Sequence, residues 1–478
     1  MTGAGADHLP ASFAESVVAL EARGRFGIRL GLGRTRALLA AVGHPEQGIR
    51  GALIGGTNGK GSVLALSGSA LRAAGLRVAE TPKPHLVSYR ERVQVDGRPI
   101  DPTAFAGVVD EVLVAAGRLP RRDPPTEFEL LTAVAFRWFA EAGVDVALVE
   151  VGLGGRLDAT HAWDGGVAAI TNVDLDHMDR LGDTIPAIAR EKAAIIERGD
   201  RADTGASGDG LRVIRRRAHR LDVPLTEVDP PPLVGWDRDG IVIGLPRLGE
   251  TRIGLRGRHQ AANAAVADAV LDALAAAGIA DAPDEARRRG FADARWPGRL
   301  ELIVAERDGA GRPPIDVLLD GAHNPAGAAV LARAIEDLRP MLSGGDDAPE
   351  APPLTLILAT MSDKDVAGVL AALASSPAFR SARVICTEVD IPRALPAARL
   401  KDGWTSVAPG SSTTVTVPVA AALAQALAET EGPIVVAGSL YLVGAVRAIL
   451  VDDPELRDDL PAVGRPNPTG PEALVAAR

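Results

Sequence analysis

Cysteine is nearly missing from this chain: among its 478 residues there is one, Cys386. A disulfide framework within the chain is therefore excluded, and the composition suits a reducing compartment, the cytoplasm. No apolar run approaches the ~18 uninterrupted residues of a membrane span. The opening stretch, MTGAGADHLPASFAES, has no basic segment followed by an apolar one, so no secretory signal is expected. Positive charge is in deficit. Lys plus Arg number 52 against 62 for Asp plus Glu, a formal net charge of −10. That balance argues against nucleic acid as the main partner. It leaves room for small anions, because a glycine-rich loop with one lysine can bind phosphate inside an acidic protein.

What is present is ordinary for a globular protein: 46% hydrophobic and 24% charged residues. At about 100–200 residues per domain, the length predicts two to four domains. Apolar, β-branched runs at 51–55, 145–151, 167–173, 316–319, 354–359, 383–387 and 434–437 read as buried strands. Helix-period segments at 62–74, 127–142, 184–198, 259–277, 326–338, 366–373 and 420–430 lie between them. Strands alternating with helices imply βαβ units, an α/β fold and mostly parallel sheets. Residues 200–210 (DRADTGASGDG) and 343–353 (SGGDDAPEAPP) read as loops. The expected division is 1–296, 297–450 and a loose, proline-rich tail from 451, with its boundary at Trp296-Pro297-Gly298-Arg299.

The sharpest motif is Gly56-Thr57-Asn58-Gly59-Lys60-Gly61-Ser62, which comes after one predicted strand and opens a predicted helix. Backbone N–H groups at a helix start, with a lysine, make a phosphate site. The string is not a strict GxxxxGK[ST] loop, and a bare glycine turn is the competing reading. The second motif runs from Val149 to Thr160 (VEVGLGGRLDAT). It places Glu150 at the end of a buried strand, where a carboxylate needs a metal, Mg²⁺ beside a nucleotide, or a salt bridge, with Arg156 the candidate. The third, Asp174-Leu175-Asp176-His177, ends another strand, so His177 is expected on the same carboxyl edge of the sheet as Glu150. Three strands ending in a phosphate loop, a carboxylate and an imidazole point to a site. Lys192, on a helix, reads by itself as part of a solvated face. Arg258-His259-Gln260 with Asn263, Pro297-Gly298-Arg299, the strand-to-helix turn Asp320-Gly321-Ala322-His323-Asn324-Pro325, and Gly438-Ser439-Leu440-Tyr441 are divided between turn chemistry and binding.

Taken together and in order, LGLGR (30–34), GTNGKGS (56–62), PHLVSYRERVQVDG (84–97), FE (128–129), EVGLGGRLDAT (150–160), DH (176–177), LGDTIPAIAREKAAI (181–195), GRHQAANAAVA (257–267), PGR (297–299), LDGAHNP (319–325), SDKD (362–365) and GSLYLVGAVR (438–447) resemble the folylpolyglutamate synthase/dihydrofolate synthase family of the Mur ligase superfamily. The resemblance implies an N-terminal P-loop ATPase domain of Mur-ligase type and then a smaller Rossmann-like α/β domain, with the site in the cleft between them. It implies an ATP-dependent amide ligase: the γ-phosphate activates a carboxylate as an acyl phosphate, and the amine of L-glutamate displaces phosphate. The carboxylate belongs to dihydropteroate or a reduced folate.

By the same resemblance, Asn58, Gly59, Lys60, Gly61 and Ser62 hold the ATP phosphates, and Asn263, Arg299 and Asp320 contact the nucleotide. Lys60, Lys192 and His323 are the catalytic candidates. Glu150 and His177 ligate one or two Mg²⁺ ions, joined by Lys192 if it is carbamylated. Leu30, Gly31, Leu32 and Gly33, Thr126, Glu127, Phe128 and Glu129, and Leu157, Asp158 and Ala159 line the pterin pocket. The partners implied are small molecules, and the chain is expected to act as a monomer. The alternatives are a Mur-type ligase for another carboxylate and an ATP-binding module without catalysis.

The chain departs from the family at Lys83, where a metal-binding serine is usual, at His161, and at Ala194. A protonated lysine cannot ligate Mg²⁺, so either water fills that coordination site or the Lys83 ammonium replaces part of the cation's charge; the second is the expectation, with Lys83 near the γ-phosphate. His161 is expected to reshape the pterin side.

Overall fold

The computed structural model describes residues 12–24, 31–120, 122–307, 312–343 and 353–456. Its first sheet contains β1 (Gly51–Gly55), β2 (Val78–Thr81), β3 (Gln94–Val95), β4 (Arg98–Pro99), β5 (Val146–Glu150), β6 (Gly166–Ile170), β7 (Arg201–Thr204) and β8 (Leu225–Glu227), in the order β4-β3-β2-β5-β1-β6-β7-β8. All neighbours from β2 to β8 are parallel; β3 and β4 add an antiparallel edge. β1 is central, with Ile54 opposite Glu150 on one side and Ala169 on the other.

The apolar runs are continuous because helices cover both faces of this sheet. Leu53, Ala147 and Val149 enter the core on one face, and Ala52, Ile54, Val146 and Leu148 enter the core on the other. The helix Lys60–Ala73 packs on the second face with Gln260–Ala276 and Asp284–Asp293. It is met so closely that a Cβ on Gly290 would lie 2.4 Å from the Ala70 Cα.

A small antiparallel sheet comes next: β9 (Leu233–Asp237), β10 (Gly240–Leu245) and β11 (Gly249–Ile253). The last sheet has β12 (Glu301–Ala305), β13 (Ile315–Leu319), β14 (Thr355–Leu358), β15 (Arg383–Cys386), β16 (Thr413–Val415) and β17 (Ile434–Ala437), in the order β12-β13-β17-β14-β15-β16. Only β12 runs antiparallel. The small sheet clasps the last one. Arg238 Nη1 donates to Asp316 Oδ2 at 2.6 Å, and Arg258, which lies over the Trp236 ring, pairs with Asp337 at 2.6 Å.

Several expectations are corrected. The segment 200–210 is not a loop: it holds β7 and the first turn of the helix Gly208–Leu221. The helix expected at 184–198 is Ile185–Ala193, closed by a run of turns. β2 to β4, β8 to β12 and β16 are strands beyond those the sequence predicts. The start of the tail is docked, since Arg90 donates to the Glu455 carbonyl; residues from 457 lie outside the described part, as do 344–352 of the second predicted loop.

Asp203 explains why β7 reads poorly. It is buried in the strand, and among the described residues its Oδ2 has no hydrogen-bond partner. Burial pushes its carboxyl up to about 8. The folded state then holds a proton that the unfolded chain releases near pH 4, so stability is full at low pH and falls as pH rises toward 8. Asp203→Asn is expected to flatten this slope by about 1.4 kcal/mol per pH unit between pH 5 and 7.5. Urea midpoints at those two pH values check it; parallel slopes in the two proteins would contradict the assignment.

Candidate active site

Four neighbouring strands, β2, β5, β1 and β6, end along one edge, and the residues at or just past these ends line a single cleft. After β1 comes the loop 56–59 and the helix Lys60–Ala73; after β2, Lys83; at the end of β5, Glu150; after β6, Asn172, Asp174, Asp176 and His177. Carboxyl edges of parallel sheets are where α/β folds bind ligands. The opposite wall comes from Arg299, Asp320, His323, Lys364 and Tyr441, beside or after strands of the last sheet. The cavity measures about 1070 Å³, room for a nucleotide and a second substrate together.

Glycine is required in the loop. Gly59 has φ 82°, and a Cβ there would lie 2.2 Å from Asn263 Oδ1. Asn263 is itself held by Gln260 Oε1 at 2.8 Å. At Gly61 a Cβ would strike the Trp296 ring at 2.5 Å. The loop is further tied to β6: Asn58 N donates to Asn172 Oδ1 at 2.9 Å, and Thr171 Oγ1 donates to the Asn58 carbonyl at 2.6 Å. Lys60 Nζ donates to the Gly56 and Thr57 carbonyls, both at 3.1 Å.

Lys192 reverses its reading as a solvated residue. It is buried, and its Nζ donates to the same Gly56 carbonyl at 2.8 Å. Burial, helped by the charge of Lys60, pushes its ammonium down to about 7. Two ammonium groups thus share one neutral acceptor, and an anion entering the loop would serve both better.

Glu150 is buried at the end of β5, and burial raises its carboxyl above the ordinary range against the pull of Lys60, Lys83 and Arg299. Its Oε2 accepts the Lys83 backbone N–H at 2.9 Å. The salt bridge to Arg156 does not form, because Arg156 pairs with Glu191 at 3.0 Å. His177 stands on the same edge in a left-handed conformation, φ 48°, with a largely exposed side chain. Among the described residues no three of His, Cys, Asp and Glu gather as a metal site. Glu150 and His177 offer a carboxylate and an imidazole, and a Mg²⁺ carried on a nucleotide, which keeps waters and phosphate oxygens, asks the protein for only one or two ligands.

Across the cleft, Asp320 accepts the backbone N–H groups of Leu300 and Ala322, both at 2.9 Å. Burial raises its carboxyl while Arg299 opposes this. His323 is pushed down to about 4 by burial, so it is neutral at pH 7. Its Nδ1 lies 2.7 Å from the Gly321 carbonyl, which assigns the proton to Nδ1 and leaves Nε2 as an acceptor.

Thr126, Glu127, Phe128, Glu129, Leu157, Asp158 and Ala159 line the cleft beside Glu150. Several are already engaged: Glu129 binds Arg34 at 3.0 Å and caps its helix with Thr126, Glu127 accepts from the Tyr89 hydroxyl at 2.8 Å, and Asp158 Oδ2 accepts from Leu153 N at 2.8 Å. Gly31, Leu32 and Gly33 sit at the start of the helix Gly33–Ala41 and do not line the cleft; Leu30 lies outside the described residues. His161 is buried against the Arg156 carbonyl and Glu197, away from the cleft lining. The Lys83 ammonium is likewise turned to other partners than expected. Its Nζ donates to the Glu150 carbonyl at 2.5 Å and to Thr81 Oγ1 at 3.2 Å, and lies 5.4 Å above the Phe128 ring. Burial pushes it down to about 8. Arg92, Arg333 and Arg393 also line the cleft and were not singled out. Arg92 stands in the string 84–97, while Arg333 and Arg393 lie outside every quoted motif, and only the folded chain brings the three to one place.

Comparison with known proteins agrees with this geometry. A family model of the dihydrofolate synthetase C-terminal domain matches residues 308–449. The dihydrofolate synthase/folylpolyglutamate synthase of Bacillus subtilis (strain 168) is 37% identical over 329 residues, 66% of this chain and 74% of that protein. Mycobacterium tuberculosis folylpolyglutamate synthase complexed with ADP superposes with a TM-score of 0.79 at 32% identity, covering 92% of this chain and 99% of that one. Escherichia coli FolC in complex with DHPP and ADP gives 0.76 at 30% identity, with 92% and 98% covered. No helix of the described residues is long and apolar enough to cross a membrane. The chain belongs to the dihydrofolate synthase/folylpolyglutamate synthase family, ATP-dependent ligases that join glutamate to a pteroyl or folyl carboxylate.

Proposed function

We propose that this chain, acting as a cytoplasmic monomer, adds L-glutamate to dihydropteroate and to reduced folates, with residues 1–296 supplying the nucleotide loop and pterin pocket and 297–450 the facing wall. The observation that carries the reading is one cleft holding a strand–GTNGKGS–helix loop, two lysines on the Gly56 carbonyl, and the buried Glu150 at the neighbouring strand end. A carboxylate is a poor electrophile because its charge is delocalised and repels nucleophiles. Phosphorylation gives it a leaving group, but brings two anions together, and donors must neutralise the charge that develops.

In this reading the N–H groups of Asn58 to Ser62 and the Lys60 ammonium cradle the ATP phosphates, while Asn263, Arg299 and Asp320 orient the nucleotide. Glu150 and His177 would hold Mg²⁺, which when bound offsets phosphate charge. Lys192 is partly neutral near pH 7, the form that adds CO₂; carbamylated, it would become a further carboxylate ligand. The pteroyl group lies against Phe128 and Leu157–Ala159, its carboxylate toward Lys60. The glutamate amine then attacks the acyl phosphate, with His323 Nε2 placed to accept a proton as phosphate departs.

The test is phosphate release from the purified protein with ATP, Mg²⁺ and L-glutamate. Release is expected with dihydropteroate and with tetrahydrofolate, and not without an acceptor or with a UDP-sugar peptide. Release with one pteroyl acceptor only would narrow the activity to one of the two reactions. Release with neither would overturn the reading.

A further inference from the structure

We infer that Lys83 is a positioning residue for the pteroyl ring, coupling the Phe128 wall of the pterin pocket to the strand end that carries Glu150. The inference rests on the pterin pocket proposed above. Thr81 ends β2 and Glu150 ends β5, two adjacent parallel strands. The Lys83 side chain spans them, with its Nζ on the Thr81 hydroxyl and the Glu150 carbonyl, and its backbone N–H on the Glu150 carboxylate. The same ammonium lies over the face of Phe128. Phe128 in turn presses on the chain just past Glu150: a Cβ on Gly152 would lie 2.8 Å from its ring and 3.1 Å from Asp158 Oδ2.

Phe128 is therefore held between a cation and a glycine that leaves room for it. A desolvated ammonium is attracted to an aromatic face by the ring quadrupole. Both of its neighbouring oxygen acceptors are fixed to the sheet, so the ring orientation is registered to the end of β5. A shorter hydroxyl side chain at position 83 could not reach the ring. The consequence is that the charge of Lys83 acts on the pteroyl substrate through Phe128, and not on the nucleotide.

The experiment measures dihydropteroate binding calorimetrically in the presence of ADP and without added metal, for the unsubstituted protein, Lys83→Met, Phe128→Leu and the double variant. Lys83→Met keeps most of the length of the side chain and removes the charge. It is expected to weaken dihydropteroate binding about tenfold while ADP binding stays within twofold. The double variant is expected to lose no more than the weaker-binding single variant, because the two residues act as one unit. In steady state, KM for dihydropteroate rises and KM for ATP does not. Unchanged dihydropteroate binding in Lys83→Met, losses that multiply in the double variant, or a loss of ADP affinity instead would each overturn the inference while leaving the ligase reading standing. Binding of neither dihydropteroate nor tetrahydrofolate by the unsubstituted protein would overturn both. Lys83→Ser, which removes the reach to Phe128 and introduces a hydroxyl, is expected to behave as Lys83→Met does and guards against a folding defect particular to one variant.

Discussion

Lys60→Ala is expected to lower turnover on the order of a thousandfold, with the protein still folded. The side chain is partly buried and, among the described residues, makes two bonds, both to carbonyls of its own loop at 3.1 Å. Those carbonyls can be taken over by Lys192 or water, so stability should change by less than about 1 kcal/mol. What cannot be replaced is a compact positive charge at the first turn of the helix Lys60–Ala73, aimed where phosphate charge develops. The loss should fall mainly on kcat, because the backbone N–H groups of the loop still bind the ground-state nucleotide. Rapid-quench measurement of γ-phosphate transfer, together with ADP binding by calorimetry, separates the two. A drop below tenfold in transfer would remove Lys60 from the proposed role.

Arg287→Ala is expected to destabilise the protein by about 3–5 kcal/mol. Arg287 is among the largest fully buried side chains. Its guanidinium donates to the Ala282 carbonyl at 2.8 Å, to the Asp268 carbonyl at 3.1 Å and to the Asp268 carboxylate at 2.7 Å, and it pairs with Asp272 at 2.8 Å. Burial raises the Asp268 carboxyl, and Arg287 is the largest influence holding it down. Without the arginine, the truncation leaves a cavity and a buried carboxyl that has lost its chief partner. The helix Asp284–Asp293 also backs the Lys60 helix through Gly290. Urea unfolding monitored by far-ultraviolet circular dichroism measures the loss. A change under 1 kcal/mol would mean that the pair between the helices Gln260–Ala276 and Asp284–Asp293 contributes little, as replacement of both partners by apolar groups sometimes shows.

Much of the site was legible before folding was considered. The strands β1, β5 and β6 are runs of Ala, Val, Ile and Leu because both faces are covered, and such runs stand out in a sequence. The turn chemistry after them is local: Gly59 must take φ 82°, and Lys60 opens the next helix. Parallel connection then puts all three carboxyl ends on one edge, so Glu150, His177 and the loop could be placed together from order alone. The helix Glu127–Ala142 was legible to the residue because Thr126 and Glu129 form a reciprocal cap at its start and Gly143 ends it.

Other features carried no such mark. β7 contains Asp203, a residue that strands avoid, and is a strand because its neighbours on both sides pair with it and its carboxyl stays protonated. β2 is four residues, VAET, whose Glu80 is buried and paired with Arg72 from the helix beside it. Lys192 has the flanking residues of an exposed lysine; packing of its helix against Gly208–Leu221 turns it inward to Gly56.

The sequence by itself determined the α/β class, the phosphate loop and the family, because these rest on periodicity, local turn geometry and short contiguous strings. Tertiary structure alone decided that Glu150 meets Lys83 instead of Arg156, that Lys83 reaches Phe128, and how Arg299, Asp320 and His323, which the resemblance already placed at the site, face Lys60 across the cleft. Those are contacts between residues tens to hundreds of positions apart, and no local energy term specifies them; they arise from which strands pair and how the small β9–β11 sheet clasps the last sheet through Arg238 and Asp316.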